Sequence, residues 1–339
     1  MQIPILPIYA DSVYLQLTVL LSTSSDLTAR IFSAKEDSNP RTLRGHKRAV
    51  LCSEIVERGK NVITAGADGT MRLWDIGADR QITSLASERF SSVNQVVLDR
   101  SARSVGYTEG QETAASPEGD PFTGRLLAAA MSSGQIGLYD LGSKQQAALI
   151  PALSAFPPGP APAVSDLWQS SPVGGMFAID WDASRHIIAA GSKDGVVCLH
   201  DDRMLGGSSS TGSGSNDSAM QMDEASTSGS APASAPKSLL GCWRRNGSAI
   251  NDVRLVLPKE RSNDTGLDCI VATADGLPYR ANLDSFLSAS SLEQDEKFNL
   301  APSVVDEYAE WDCDNVESIG IDANARVWLA GTDGKVRRY

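Results

Sequence analysis

The side chains able to do proton or metal chemistry are few and scattered. The chain has three histidines, His46, His186 and His200, and five cysteines, Cys52, Cys198, Cys242, Cys269 and Cys313. A side-chain nucleophile needs a base within hydrogen-bond reach, and a structural zinc site needs thiols or imidazoles at short spacing. Neither pattern occurs: there is no Cys-x-x-Cys pair, no Gly-x-Ser-x-Gly elbow and no phosphate-cradling loop. Catalysis is therefore not expected, and neither a metal nor a cofactor is implied. An odd number of unpaired-looking cysteines beside apolar runs reads as buried, reduced thiols of an intracellular protein. A net charge of −12 argues against nucleic acid and against an anionic membrane surface, and fits a basic protein partner. The start, Met1–Pro7, lacks basic residues and is broken by two prolines, so it reads as neither a signal peptide nor a membrane span.

The elements that must position any site follow from a recurrence. A tight turn, usually Asp-Gly, is followed six positions later by an aromatic residue or a substitute. The pairs are Asp26 and Phe32, Asp68 and Trp74, Ser133 and Tyr139, Asp194 and His200, Asp275 and Ala281, and Asp333 and Tyr339. Asp-Gly between alternating apolar segments is a strong hairpin signal, because glycine supplies positive φ without strain. A second marker lies upstream. Val50, Val93, Met176, Ile250 and Val316 each start a short apolar run, and from Val50 to Asp68 and from Met176 to Asp194 the distance is 18 residues. Two markers at one spacing predict a repeated four-stranded unit, hence an all-β propeller read as one domain over residues 1–339 with six blade units visible.

The units run approximately 1–43, 44–88, 89–153, 173–206, 238–284 and 311–339. Arg103–Gly124 and Pro258–Gly266 read as insertions within units. Phe156–Pro162 is Pro-rich and expected to be extended. Residues 206–236 are a Ser/Gly/Ala/Thr run, expected to be a disordered surface insertion between blades. Leu292–Phe298 is expected to form a short helix. The last unit ends on its third strand, so its fourth must come from the N-terminal region or the edge stays open.

Gly45-His46 followed by Trp74-Asp75 is the WD-repeat pattern. More of the chain resembles the proteasomal ATPase-associated factor family: Gly45–Asp75, Ser91-Ser92-Val93-Asn94, Ser24–Phe32 and the closing Gly331–Tyr339 with Val-Arg-Arg-Tyr. The resemblance is sharp over 17–99 and 311–339. It implies a seven-bladed WD-repeat chaperone that binds an ATPase subunit of the proteasome regulatory particle and escorts assembly of its base, monomeric, cytoplasmic and nuclear. It also implies that His46 approaches Asp68, and that Thr64 and Trp74 complete a buried hydrogen-bonded set within one blade, with His46 structural. Family members carry further blades before this point, and residues 1–16 are atypical of them.

The expected binding residues flank the aligned starts of the blades: Lys47, Arg48, Ser92, Asn94, Ser248, Asn251, Asp314 and Glu317. Two alternatives stay open. His200-Asp201-Asp202-Arg203 approximates the Trp-Asp-x-Arg box of substrate receptors for cullin-based ubiquitin ligases, with His in place of the aromatic residue. A generic propeller scaffold is the other.

Overall fold

A computed structural model describes residues 8–13, 19–33, 41–56, 60–99, 122, 125–150, 174–206, 238–258, 266–288, 301–309, 314–322 and 324–339. The strands of these residues form six separate antiparallel sheets, the blades of a β-propeller. Blade one holds β1 (Ile8–Val13), β2 (Val19–Ser24), β3 (Thr28–Ser33) and β4 (Arg41–Arg44). Blade two holds β5 (Val50–Val56), β6 (Asn61–Gly66), β7 (Thr70–Asp75) and β8 (Arg80–Ala86), and blade three β9 (Val93–Leu98), β10 (Leu126–Met131), β11 (Ile136–Asp140) and β12 (Gln145–Ile150). Blade four holds β13 (Met176–Asp182), β14 (Ile187–Ser192), β15 (Val196–Asp201) and β16 (Leu239–Arg244). Blade five holds β17 (Ile250–Val256), β18 (Asp268–Thr273), β19 (Tyr279–Asn282) and β20 (Ser303–Glu307), and blade six β21 (Val316–Ile321), β22 (Val327–Gly331) and β23 (Val336–Arg338). One helical turn, α1 (Asp284–Ser288), follows β19.

The second and third strands of each blade meet at the recurrent turn. In blade two the Asp68 carboxylate accepts the Thr70 N–H at 3.0 Å, a side-chain-closed turn that explains why Asp precedes Gly. Asp26, Asp275 and Asp333 do the same for Thr28, Leu277 and Lys335. Gly69 has φ +72°, and a Cβ there would lie 2.5 Å from the backbone of Phe90, so both conformation and space require glycine. In blade one Leu27 holds the same left-handed conformation with φ 73°.

Each pair of successive blades closes on its own apolar cluster. Leu21, Ala29 and Leu43 meet Ile55, Val62 and Trp74 between blades one and two. Cys52, Met71 and Leu73 meet Val96, Leu127 and Tyr139 between two and three. Similar clusters join three to four, four to five and five to six. Burying apolar faces between wedges, at about 25 cal/mol per Å², is what holds such a fold together.

Two expectations need correction, and one alternative is decided. The segment opening at 238 does not begin a new unit: Cys198 of β15 stands opposite Cys242 of β16, so it is the outer strand of blade four. The Ser/Gly run therefore interrupts a blade instead of separating two. The fifth unit extends past 284, because β20 pairs with β19 through Tyr279 opposite Glu307. The N-terminal strand β1 serves blade one, pairing with β2, so among the described residues blade six remains three-stranded. The Arg103–Gly124 insertion, of which only Phe122 is described, Phe156–Pro162, nearly all of 206–236 and Leu292–Phe298 lie outside the described residues.

Candidate functional site

Blade two carries a buried polar set built on two strand positions, Thr64 and Trp74, one turn residue, Asp68, and one loop residue, His46. His46, in the loop before β5, places Nδ1 3.0 Å from Asp68 Oδ2 and Nε2 2.8 Å from Thr64 Oγ1. Trp74 Nε1–H donates to the same Thr64 oxygen at 2.8 Å. A threonine hydroxyl has one proton, so accepting from Trp74 leaves it to donate to Nε2; His46 then carries its own proton on Nδ1 and donates to Asp68. Burial pushes the His46 imidazole down, Asp68 pulls it partly back, and the net effect is a neutral ring. Burial also pushes the Asp68 carboxyl up, but the Lys47 N–H and the Thr70 hydroxyl and N–H outweigh it and hold it below the usual carboxylate range. Every acceptor here is engaged by the protein itself, so the arrangement braces the blade and offers no base to a substrate.

The eight residues flanking the blade starts divide by what their side chains do. Lys47 and Arg48 are exposed, beside the Ala67–Gly69 turn, and Arg48 donates to the Ala67 carbonyl at 3.2 Å. Asn94 and Asn251 reach across to the next blade: Asn94 Nδ2 donates to the Met176 carbonyl at 2.6 Å and Asn251 Nδ2 to the Val316 carbonyl at 2.8 Å. Ser92 hydrogen-bonds Asn94 at 3.3 Å, and the Ser248 N–H donates to Asn246 Oδ1 at 3.2 Å. Asp314 is half-buried, whereas Glu317 is exposed and accepts from Asn315.

A shared backbone device places three of these residues. The innermost strand of five blades has a bulge one residue after its start, where the register skips Leu51, Asn94, Phe177, Asn251 and Glu317. A bulge turns its extra residue out of the ladder and re-aims the side chain. Leu51 and Phe177 were missed in the sequence, although each sits directly after the recurrent marker that opens its strand. Deeper in the ring, Gln95 Nε2 donates to Asp252 Oδ1 at 3.2 Å, and the Ile319 N–H donates to Asp252 Oδ2 at 2.8 Å. These bonds tie blades three, five and six.

At the opposite end of blade four the His200–Arg203 segment splits into two roles. His200 is fully inside, with Nδ1 3.3 Å from Ser238 Oγ, and burial pushes its imidazole down to about 4. Arg203 is 64% exposed at its side chain and forks onto Asp201 at 2.6–3.2 Å. Asp202 accepts from Trp181 Nε1 at 2.8 Å and lies 2.8 Å from His186 Nδ1. The four described cysteines are all buried; burial pushes the Cys198 thiol up to about 12. Among the described residues no cluster of His, Cys, Asp or Glu suits a metal ion.

The WD domain, G-beta repeat model matches residues 38–75 and 169–201, that is, the first three strands of blades two and four with their leading segments. These are WD repeats. Two curated relatives match locally. Eukaryotic translation initiation factor 3 subunit I of Bombyx mori is 33% identical over 89 residues, covering 23% of this chain and 26% of that protein. Nuclear distribution protein nudF of Aspergillus niger is 38% identical over 61 residues, 17% of this chain and 14% of that protein. The chain thus spans about a quarter or less of the length of these relatives. What the matches and the fold share is the WD repeat on a β-propeller blade.

Proposed function

We propose that this WD-repeat propeller binds an ATPase subunit of the proteasome regulatory particle and escorts assembly of the base. The observation that carries the protein-binding part is the state of its reactive groups. His46 and His200 are locked in the core, His186 is paired with Asp202, and the turn face offers exposed side chains on pre-shaped loops. The finer part rests on the resemblance of 17–99 and 311–339 to the proteasomal ATPase-associated factors. A relative that is by name a subunit of a larger factor accords with a role inside protein assemblies. Affinity purification of the tagged full chain tests it: ATPase subunits of the base should co-purify, and their consistent absence sinks the reading.

One observation favours a second reading, that of a receptor for a cullin-based ubiquitin ligase. Arg203 is held outward by Asp201, as an Asp-x-Arg box used in docking requires. Recovery of ligase adaptor without ATPase subunits, abolished by Arg203→Ala, would select it.

A further inference from the structure

We propose that the turn face between blades two and three is a docking site for an acidic peptide segment carrying an apolar side chain. This rests on the protein-binding reading above and gives its partner a chemistry. The site is a juxtaposition around one turn. Ala67–Gly69 has Lys47 and Arg48 on one side, joined through Asp68 and the Ala67 carbonyl. On its other side lie Arg89 and Phe90, and the Phe90 backbone packs against Gly69. All four flanking side chains are exposed, and Phe90 is 68% exposed, the most open large apolar residue in the described structure.

Two features show that this presentation is built in. The Glu88–Phe90 turn is pinned at both ends: the Ser87 N–H donates to the Gly69 carbonyl at 2.8 Å, and Ser87 Oγ donates to the Ser91 carbonyl at 2.5 Å. Arg89 and Phe90 both sit at φ 53°, where side chains are disfavoured, so the packing that imposes this conformation holds them outward. The exposed acid of the same turn, Glu88, accepts from Gln135 at 3.3 Å. Three exposed cations and one exposed aromatic residue around a single turn, on a chain of net charge −12, are a local exception to the charge of the whole. The net charge alone points to a basic partner; this surface points to an acidic one. Charge complementarity sets encounter and register, and a rigid exposed aromatic residue is the natural anchor.

The test is fluorescence anisotropy on the full chain with a labelled Glu/Leu peptide and its Lys/Leu counterpart. The Glu/Leu peptide should bind at least about tenfold tighter, and more weakly as salt rises. Lys47→Glu with Arg48→Glu should weaken it about tenfold, and Phe90→Ser about fivefold. Arg80→Glu, at the far end of blade two, should leave it unchanged, with all variants melting like the parent. Equal binding of both peptides, or indifference to the charge reversal, overturns the site. So does tighter binding of a single-stranded oligonucleotide than of the Glu/Leu peptide. If peptide binding fails while ATPase subunits still co-purify, the site is wrong and the functional reading stands; the reverse pattern discards only the ATPase partner.

Discussion

Blades two and four repeat the same strand plan around opposite interiors. At the sixth position after the turn, blade two has Trp74 and blade four has His200. Trp74 joins Thr64, His46 and Asp68 in a chain of hydrogen bonds in which each donor meets an acceptor. His200 is just as deeply buried, but one hydroxyl, that of Ser238 at 3.3 Å, is its hydrogen-bonding neighbour. The same backbone thus carries a satisfied polar network in one blade and a titratable ring in near-apolar surroundings in another. The repeat is specified by the turn and by the wedge-shaped packing, and the aromatic position is free to vary, down to Ala281 in blade five.

The largest expected effect is in blade two. Trp74→Ala removes a large side chain from the cluster between blades one and two and strips Thr64 of its donor, so it should destabilise the chain by about 3–5 kcal/mol in urea unfolding. A loss below about 1 kcal/mol would mean that the set is ornamental and that the contrast with blade four has no energetic content.

Blade four supplies the next effect, and it depends on pH. The folded His200 is pushed down to about 4 from an ordinary value of 6.5. Between those values the unfolded chain binds a proton that the folded chain refuses, so stability falls as pH falls through that window and is fully present above it. The full difference corresponds to at most about 3 kcal/mol. His46, also lowered by burial, acts in the same direction. Melting temperatures measured from pH 7 to pH 4 should therefore drop, and His200→Phe should flatten part of that drop. An unchanged slope in the variant would show that other groups carry the acid sensitivity.

The sequence showed the turns because their chemistry is local. Asp closes a side-chain turn two residues on and Gly tolerates the left-handed conformation, so position and cause coincide. The starts of the innermost strands, Val50, Val93, Met176, Ile250 and Val316, were visible for a similar reason, since each opens a buried apolar run. The outer strands were harder. All five residues of β20 are exposed, so no alternation marks it, and β16 is separated from β15 by the long polar run that hid their pairing. The site was legible only in part. His46, Thr64, Asp68 and Trp74 fall within one repeat. Asn94 and Asn251, by contrast, spend their amides on carbonyls 82 and 65 residues away, and nothing local announces that. Arg89 and Phe90 escaped because their prominence comes from an unusual backbone and from contact with Gly69.

Blade five sharpens the comparison at a smaller scale. Its sixth position is Ala281, and the polar aromatic pairing has moved to Trp243 of blade four, which donates to the Tyr279 hydroxyl at 3.0 Å. Trp243→Phe keeps most of the volume and removes this one bond, so about 1–2 kcal/mol should be lost, as in Trp74→Phe. If Trp243→Phe proves neutral while Trp74→Phe is costly, a bond between blades is worth less than the same bond within one.

The smallest effect has the opposite sign. Tyr139 fills the sixth position of blade three and is buried, yet its hydroxyl finds no hydrogen-bond partner among the described residues. Burial, with Glu88 adding, pushes it up to about 12, so it is a neutral phenol at physiological pH. The ring is required, because it packs in the cluster between blades two and three and folds back over Gly137, where a Cβ would come within 2.7 Å of it. The oxygen is not required. A buried hydroxyl without a partner gives up its hydration for nothing, so Tyr139→Phe should stabilise the chain by up to about 1 kcal/mol in urea unfolding. A loss of that size instead would place an ordered water on the oxygen, giving blade three a satisfied polar interior like that of blade two and leaving blade four as the exception.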